Sequence, residues 1–598
     1  MRELAPPKIT CMAEPNIYVQ GVGRTSCSDF STASLIDLLT EAGEKALDRV
    51  KGRKGPHERV DAVIVAVQLD ARRTGRERPL DDGVSTFIGS RVLSRLQQLP
   101  RFRNALEGAE VLRVETAGVG LASMILGCRL LRSKEAHNVL VIGGDVMRAG
   151  KRFVFDPAEL DAILSEDARA LRLSRQVVLS AIFELYLAHF DGSTADFDSF
   201  RRAVVRDGTE KAAVAPNPLK SHRGEFPFLE KAYDTVKQFF KKEGKHAGGR
   251  RINRWITSNL TSYDVAPACN GAGAVFLSTS RRLGRERIEP LAEVLGYGMG
   301  AEGSPITKRP TPYRFAATSR AMQKTCFSAQ ASLAWLRSQL AAGQLQVETQ
   351  SHYSPLVAVN LVDLGLFANF EAVRKCVPAP WLNPSGGVWD GHPLDGGALI
   401  RVAEAVNRIA NSQPVDSGTQ SPRFVLNHSI GGAGKASGIV LLAKTDARPK
   451  KGGAVTPRVR VGPGAGSAMA LPDTHARLLC IVRFERVLSD ELPEESELIS
   501  YAHEGEELWL NGYRPNELNR SGLENAKIGV IAAGLVVDNN GVWHWALAAD
   551  AMSAGWNSQR VREERPKVHI VPLTGKTSEG RKAFRILEQP QDREEPEL

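Results

Sequence analysis

The 598-residue chain has only seven cysteines, and none stands in a C-x-x-C arrangement. Neither a disulfide framework nor a zinc site is expected. No apolar run approaches the roughly 20 residues that cross a bilayer. The opening MRELAPPKITCMAEP lacks the apolar stretch of a signal peptide. A soluble, cytoplasmic chain without a membrane span is therefore expected. Aromatic residues make up only 6% of the chain, and the net charge of +10 comes from dispersed Lys and Arg without an interleaved aromatic ladder. This excludes nucleic acid as the expected partner. A complete dinucleotide fingerprint is also missing: Gly21–Gly23 and GPGAGSA at 462–468 read as turns.

What the chain does have is alternation. Residues 16–20 read as a strand, 35–50 as a helix, and DAVIVAVQL at 61–69 as a strand covered on both faces. A helix near 89–99, a strand near 110–115, a helix over 121–132 and the strand VLVIGG ending at Gly144 follow. The segment from about 148 to 255 is helical, charged and broken by APNP and GKHAGGRR, and reads as an insertion. AGAVFLS at 272–278 closes the first half. A second pass of similar content follows, with a helix near 318–341, the strand LQVET, a helix from Val357, and FVLNHSIGGAG leading into GIVLLA. An α/β layered fold with two similar halves is expected, although no sequence repeat is visible. The expected boundaries are 16–287, 288–446, a β-rich accessory domain over 456–575 and a polar tail at 576–598.

The most specific string is NPSGGVWDGHPLDGGALIR at 383–401. Its glycines and prolines allow sharp turns and close approach to a ligand, and they present His392 from a constrained loop. Asn383, Gly386, Gly387, Gly391, His392 and Pro393 match a thiolase signature, and other blocks occur in the expected order. ETAGVGLAS at 115–123 is similar to the nucleophile turn, VETQSHYSPLVAVNLVDLGLF at 347–367 to the catalytic-loop block, and SIGGAG at 429–434 to the terminal glycine turn. The chain thus resembles the thiolase superfamily, especially its sterol-carrier-type and archaeal members, over about 16–446. The resemblance implies a duplicated five-layer fold and a coenzyme A thioester as substrate or ligand, with no covalently bound cofactor. It also implies a homodimer or an assembly with another acyl-processing protein.

The departures from that pattern are as informative. A thiolase needs a thiolate at a helix N-terminus, but the alignment places Ala117 at the nucleophile position; a one-residue shift would offer Thr116 or Gly118. Cys128 falls further down the same helix and reads as a core thiol. Gln350 replaces the loop histidine and can donate a hydrogen bond to a thioester oxygen without moving a proton. His352 stands where sterol-carrier-type members carry their acid/base cysteine, so His352 or Tyr353 is expected to take that task, beside His392. Ser429 replaces the second cysteine, Gly431 and Gly432 keep the turn, and Asp395 stands where the family usually has glycine. The densest basic cluster includes Lys245, Arg250 and Arg251, either in a solvated loop or as a seat for the phosphates of coenzyme A. Two main expectations follow: a retro-aldolase-like enzyme that acts without an acyl-cysteine, or a non-catalytic scaffold. An acetyltransferase would require a different nucleophile alignment.

Overall fold

The computed structural model describes residues 15–27, 33–48, 59–67, 87–114, 119–149, 152–153, 175–190, 192–213, 255–257, 259–261, 264–266, 268–283, 288–303, 306–309, 311–411, 422–445, 447, 475–487, 528–538, 543–549, 561, 567–572 and 584–587. Its first half contains strands β1 (Ile17–Arg24), β2 (Ala62–Ala66), β3 (Glu110–Val114) and β4 (Asn138–Asp145), then the short β5 (Arg148–Ala149), β6 (Arg152–Phe153), β7 (Trp255–Thr257) and β8 (Leu260–Thr261), and then β9 (Gly271–Ser278). Helices α1 (Leu35–Asp48), α2 (Ile88–Gln98) and α3 (Leu121–Ser133) connect them. The second half has β10 (Ala292–Ala301), β11 (Leu345–Thr349), β12 (Phe424–Gly431) and β13 (Ala436–Ala443).

Nine of these strands form one sheet in the order β11-β12-β13-β10-β1-β9-β4-β2-β3, while β5 pairs with β6 and β7 with β8. From β1 outward through β9, β4 and β2 the pairings run antiparallel, antiparallel, parallel. From β10 outward through β13, β12 and β11 they run the same way. The expected duplication is therefore present in the topology, without a sequence repeat to announce it. Its physical trace is a glycine stripe in each half. A Cβ on Gly23 of β1 would lie 2.0 Å from the Ala42 carbonyl of α1, and one on Gly298 of β10 would lie 2.2 Å from the Ala321 carbonyl. Only glycine lets a helix seat so close to its strand. Gly21–Gly23 is thus part of a strand, which corrects the expected turn: close helix packing, and not chain reversal, is what requires Gly23.

The helix expected near 318–341 is two helices, α6 (Ala316–Ala329) and α7 (Leu333–Ala341). Gln330 adopts the left-handed conformation at φ 52, and the Ser332 side chain caps the second helix by accepting from the Trp335 N–H. Before them in the chain lie α4 (Arg175–His189) and α5 (Thr194–Ala213) of the inserted segment; after them come α8 (Leu356–Asp363), α9 (Phe370–Cys376) and α10 (Leu394–Ala410).

Side chains alternate between layers. Val139 and Val141 of β4, with Val440 and Leu442 of β13, face a central core that contains α3 and α10. Leu140 and Ile142 face α1 and α2 on one outer side. Leu426 and Leu441 face α6 and α8 on the other. Each buried Leu, Ile or Val contributes about 1.5–3 kcal/mol, so strands apolar on both faces commit the chain to five layers. Beyond Ala443, strands β14 (His475–Val487), β15 (Ile528–Asp538), β16 (Trp543–Ala549), β17 (Lys567–Pro572) and β18 (Phe584–Leu587) close a barrel in the order β14-β15-β16-β18-β17. Its outward Cys480, Val482, Ala533, Leu535 and Trp545 share a core with α4, which is buried from Gln176 to Leu187. Among the described residues no helix is long and apolar enough to cross a membrane.

Candidate active site

The site is built at the ends of β11 and β12. Thr349 pairs with His428, and the Gln350 N–H donates to the His428 carbonyl at 2.9 Å, which carries the ladder one residue further. Strand alternation then sets Gln350 and Ser429 side by side on the face toward the central helices. Across β13, Gly438 pairs with Ser429, and a Cβ there would lie 3.1 Å from Val119 and 3.2 Å from Leu121. Ser429 therefore stands over the N-terminal end of α3, where Gly120 supplies no side-chain cap. The Ser429 hydroxyl is buried and has no hydrogen-bond partner among the described residues; both amide atoms of Asn427, on the same face, are in the same state. Such groups cost about 1–3 kcal/mol each, and in a folded chain they call for an explanation such as a bound ligand or water. Asn427 was not selected from the sequence. The signal was there, since Asn427, His428 and Ser429 form a polar run inside a strand that is otherwise apolar, with Asn427 and Ser429 at the two-residue spacing of one face.

On the opposite face His428 is wholly buried among hydroxyls. Its Nδ1 meets Thr349 Oγ1 at 2.9 Å and its Nε2 meets Ser437 Oγ at 3.1 Å and Thr318 Oγ1 at 3.3 Å. Burial lowers its pKa to about 3, so the ring is neutral near pH 7. Asn360 donates to Thr349 Oγ1 and Ser351 Oγ, both at 3.2 Å. The loop after β11 therefore leaves the sheet from a bolted base.

The Asn383 loop docks on the same strand. Asn383 Oδ1 accepts the Thr349 N–H at 2.7 Å, and Ser385 Oγ donates to Glu348 at 2.9 Å; Glu348 also pairs with Arg408 of α10. Gly386 (φ 87) and Gly387 (φ 58) take left-handed conformations, and a Cβ on Gly386 would lie 2.6 Å from the Ala212 backbone of α5. The loop ends with Arg401 donating to the Gly391 carbonyl at 2.7 Å, just before His392. Leu394, which opens α10, sits at φ 36, a strained value for a side-chain-bearing residue.

His392 is 7% exposed. Its ring lies parallel to that of His352, with centroids 5.6 Å apart and planes within 5°. The sequence separates these residues by an entire loop and helix pair, and backbone pairing brings them together. Val265 bridges to Tyr353, Ala268 bridges to His392, and the Ala266 N–H donates to the His352 carbonyl at 3.0 Å. Tyr353 backs His352 edge-on at 5.1 Å and is buried in the apolar core. Two facing imidazoles can divide the roles of proton acceptor and proton donor.

The turn after β12 runs through Gly432 (φ 56), Ala433 (φ 49) and Gly434 (φ 83), following Gly431. Arg309 donates to the Ala433 carbonyl at 2.8 Å and pairs with Glu302 at 2.9 Å. Burial raises the Glu302 carboxyl to about 7 despite that arginine. Of the thiols, burial pushes Cys128 up to about 12, which suits the core role read from its position. Ala117, Lys245, Arg250, Arg251, GPGAGSA at 462–468 and the side chain of Asp395 lie outside the described residues.

No family model matches the chain. It is 24% identical over 303 residues to the mitochondrial 3-ketoacyl-CoA thiolase of Mus musculus, covering 45% of this chain; the match spans 65% of that relative's length. Among solved structures it is similar to a monomeric SCP2-thiolase-like protein type 1 from Mycobacterium smegmatis, with a TM-score of 0.58 and 14% identity, covering 96% of this chain and 100% of that one. The Ltp2-ChsH2(DUF35) aldolase superposes with a TM-score of 0.49 and 16% identity, over 72% of this chain and 99% of that one. With its duplicated sheet and central helix pair, and on the likeness to the SCP2-thiolase-like structure, the chain has the thiolase-superfamily fold.

Proposed function

We propose that this protein binds an acyl-CoA-type thioester and cleaves or forms the carbon–carbon bond next to it, in the manner of a retro-aldolase and without an acyl-cysteine. The parallel His352–His392 pair carries the reading, because aldol cleavage asks for one base and one acid within reach of the same substrate. One imidazole removes the β-hydroxyl proton of a β-hydroxyacyl thioester. The Cα–Cβ bond breaks, its electrons pass into the thioester carbonyl as an enolate, and an aldehyde or ketone leaves. Reprotonation at Cα by the second imidazole yields the shortened acyl-CoA. Tyr353 is the alternative donor. Gln350, Ser429 and the Gly431–Gly432 turn receive the thioester oxygen in this reading, while Asn383, Gly386 and Gly387 hold the loop beneath it. Lys245, Arg250 and Arg251 contact the coenzyme A phosphates. With Ala117 at the nucleophile position no acyl-enzyme forms.

Carbonyl release from β-hydroxyacyl-CoA by the intact protein, and its loss in His392→Ala by about 100-fold or more, test the reading. A protein that binds the thioester and releases nothing removes it. That outcome would leave a thiolase-fold scaffold acting as a homodimer or with an acyl-processing partner, a reading favoured by the joint replacement at Ala117, Gln350 and Ser429. Intact mass after exposure to excess acyl-CoA separates both from an acetyltransferase, which would gain an acyl group.

A further inference from the structure

The inserted segment supplies more than packing to this site. Helix α5 touches the His392 loop along one side: a Cβ on Gly208 would lie 2.0 Å from the Trp389 ring, and Ala212 abuts Gly386. Lys211 of the same helix donates to the Ala379 and Leu382 carbonyls at 2.7 and 2.8 Å, just before Asn383. Nearer its N-terminus, on the same face, α5 carries Arg201, 1% exposed, which pairs with the fully buried Asp264 and with Asp198 of its own helix. Asp264 also accepts from the Thr261 N–H at 2.7 Å, the Thr261 hydroxyl at 2.8 Å and the Ser354 hydroxyl, while its carbonyl accepts the Ser354 N–H at 2.9 Å. Ser354 follows His352 by two residues, and Asp264 opens the strap whose Val265 and Ala268 bridge to Tyr353 and His392. One carboxylate thus joins the inserted helix, the His352 loop and the strap that reaches His392.

We infer that Asp264, oriented by Arg201 of α5, is the positioning residue that sets the spacing of the His352–His392 pair, so that the inserted helix is part of the reaction apparatus. The inference rests on the proposed acid–base role of that pair. Asp264 touches neither ring and acts through the two loops it joins. The geometry explains why a carboxylate serves here. It is an acceptor with two oxygens and about four lone-pair directions, enough to take Arg201, Thr261 and Ser354 at once. An amide oxygen at the same place would accept fewer bonds and leave the buried Arg201 with only the part-exposed Asp198 as its counter-charge.

The test compares the intact protein with Ser354→Ala and with the double variant Arg201→Met/Asp264→Leu. The double variant replaces the buried ion pair with apolar side chains of similar volume, an exchange that buried pairs often tolerate in stability. Ser354→Ala removes a single hydroxyl and decides the matter if the double variant does not fold. Histidine ring resonances are followed by NMR, with and without His392→Gln. In the intact protein, removing the neighbouring imidazole moves the His352 ring resonances, because two parallel rings with centroids 5.6 Å apart share ring-current shifts. In the folded variants that response shrinks or disappears. Turnover of β-hydroxyacyl-CoA falls by about 100-fold in kcat for a ring displaced by about 1 Å, with KM little changed. A folded variant that keeps the full mutual response of the two rings overturns the inference. Coupled rings in the intact protein and uncoupled rings in the variants, with no carbonyl product from any of them, would sink the proposed reaction and leave the positioning role standing.

Discussion

Acidification to pH 4.5 should destabilise the fold through one residue outside the reacting pair, His428. Its ring is enclosed by the hydroxyls of Thr349, Thr318 and Ser437, with no carboxylate among its hydrogen-bond partners, and burial lowers its pKa from 6.5 to about 3. The unfolded chain takes up this proton below about pH 6.5, whereas the folded chain does so only near 3. Between those values the unfolded state binds more protons, so stability falls as pH falls, and the loss is complete near pH 3. At pH 4.5 the difference amounts to about two pH units' worth of proton affinity, or about 3 kcal/mol at 1.4 kcal/mol per unit. Urea unfolding followed by circular dichroism at pH 7 and pH 4.5 measures it, with His428→Gln as the reference. Other titrating groups act equally on both chains and cancel. The intact protein should lose about 3 kcal/mol more than the variant. Equal losses would refute the argument. The consequence reaches the site, since Gln350 hangs from the His428 carbonyl.

Gly434→Ala should cost about 3 kcal/mol or more by calorimetry, because φ is 83 there and the new Cβ would fall 2.0 Å from the Phe315 ring; a wild-type melting temperature would contradict that packing. Cys128, raised to about 12 by burial, should resist alkylation at pH 8 in the folded protein and react in urea, and rapid native labelling would show it to be an accessible thiolate. Asn427→Leu removes a buried amide that has no partner among the described residues, so the protein should gain about 1 kcal/mol or more while thioester binding weakens. A loss of stability with unchanged binding would mean that Asn427 serves the fold.

Much of the architecture could be read along the chain. Runs such as AVIVAV at 62–67 and GIVLLA are apolar at every position, and both faces of those strands are indeed covered, Val63 and Ile64 of β2 lying in different cores. Cys128 could be assigned to the core from its place on an apolar helix, and it is buried. The break between α6 and α7 was missed because Gln330 carries no glycine or proline signal; the left-handed turn is imposed by packing and by the Ser332 cap. Gly21–Gly23 misled in the opposite direction, since glycine serves close packing as readily as it serves turns.

Local pattern therefore determined which segments are strands and helices, and motif resemblance marked His392, Gln350 and the glycine turns as a group. Periodicity and backbone constraint are properties of neighbours in sequence, so they are legible there. The pairing of His352 with His392, the buried Asn427 and the junction at Asp264 were decided by tertiary structure alone. Each depends on contacts between segments far apart in the chain, where burial and strand register, set by the whole fold, choose which side chains meet.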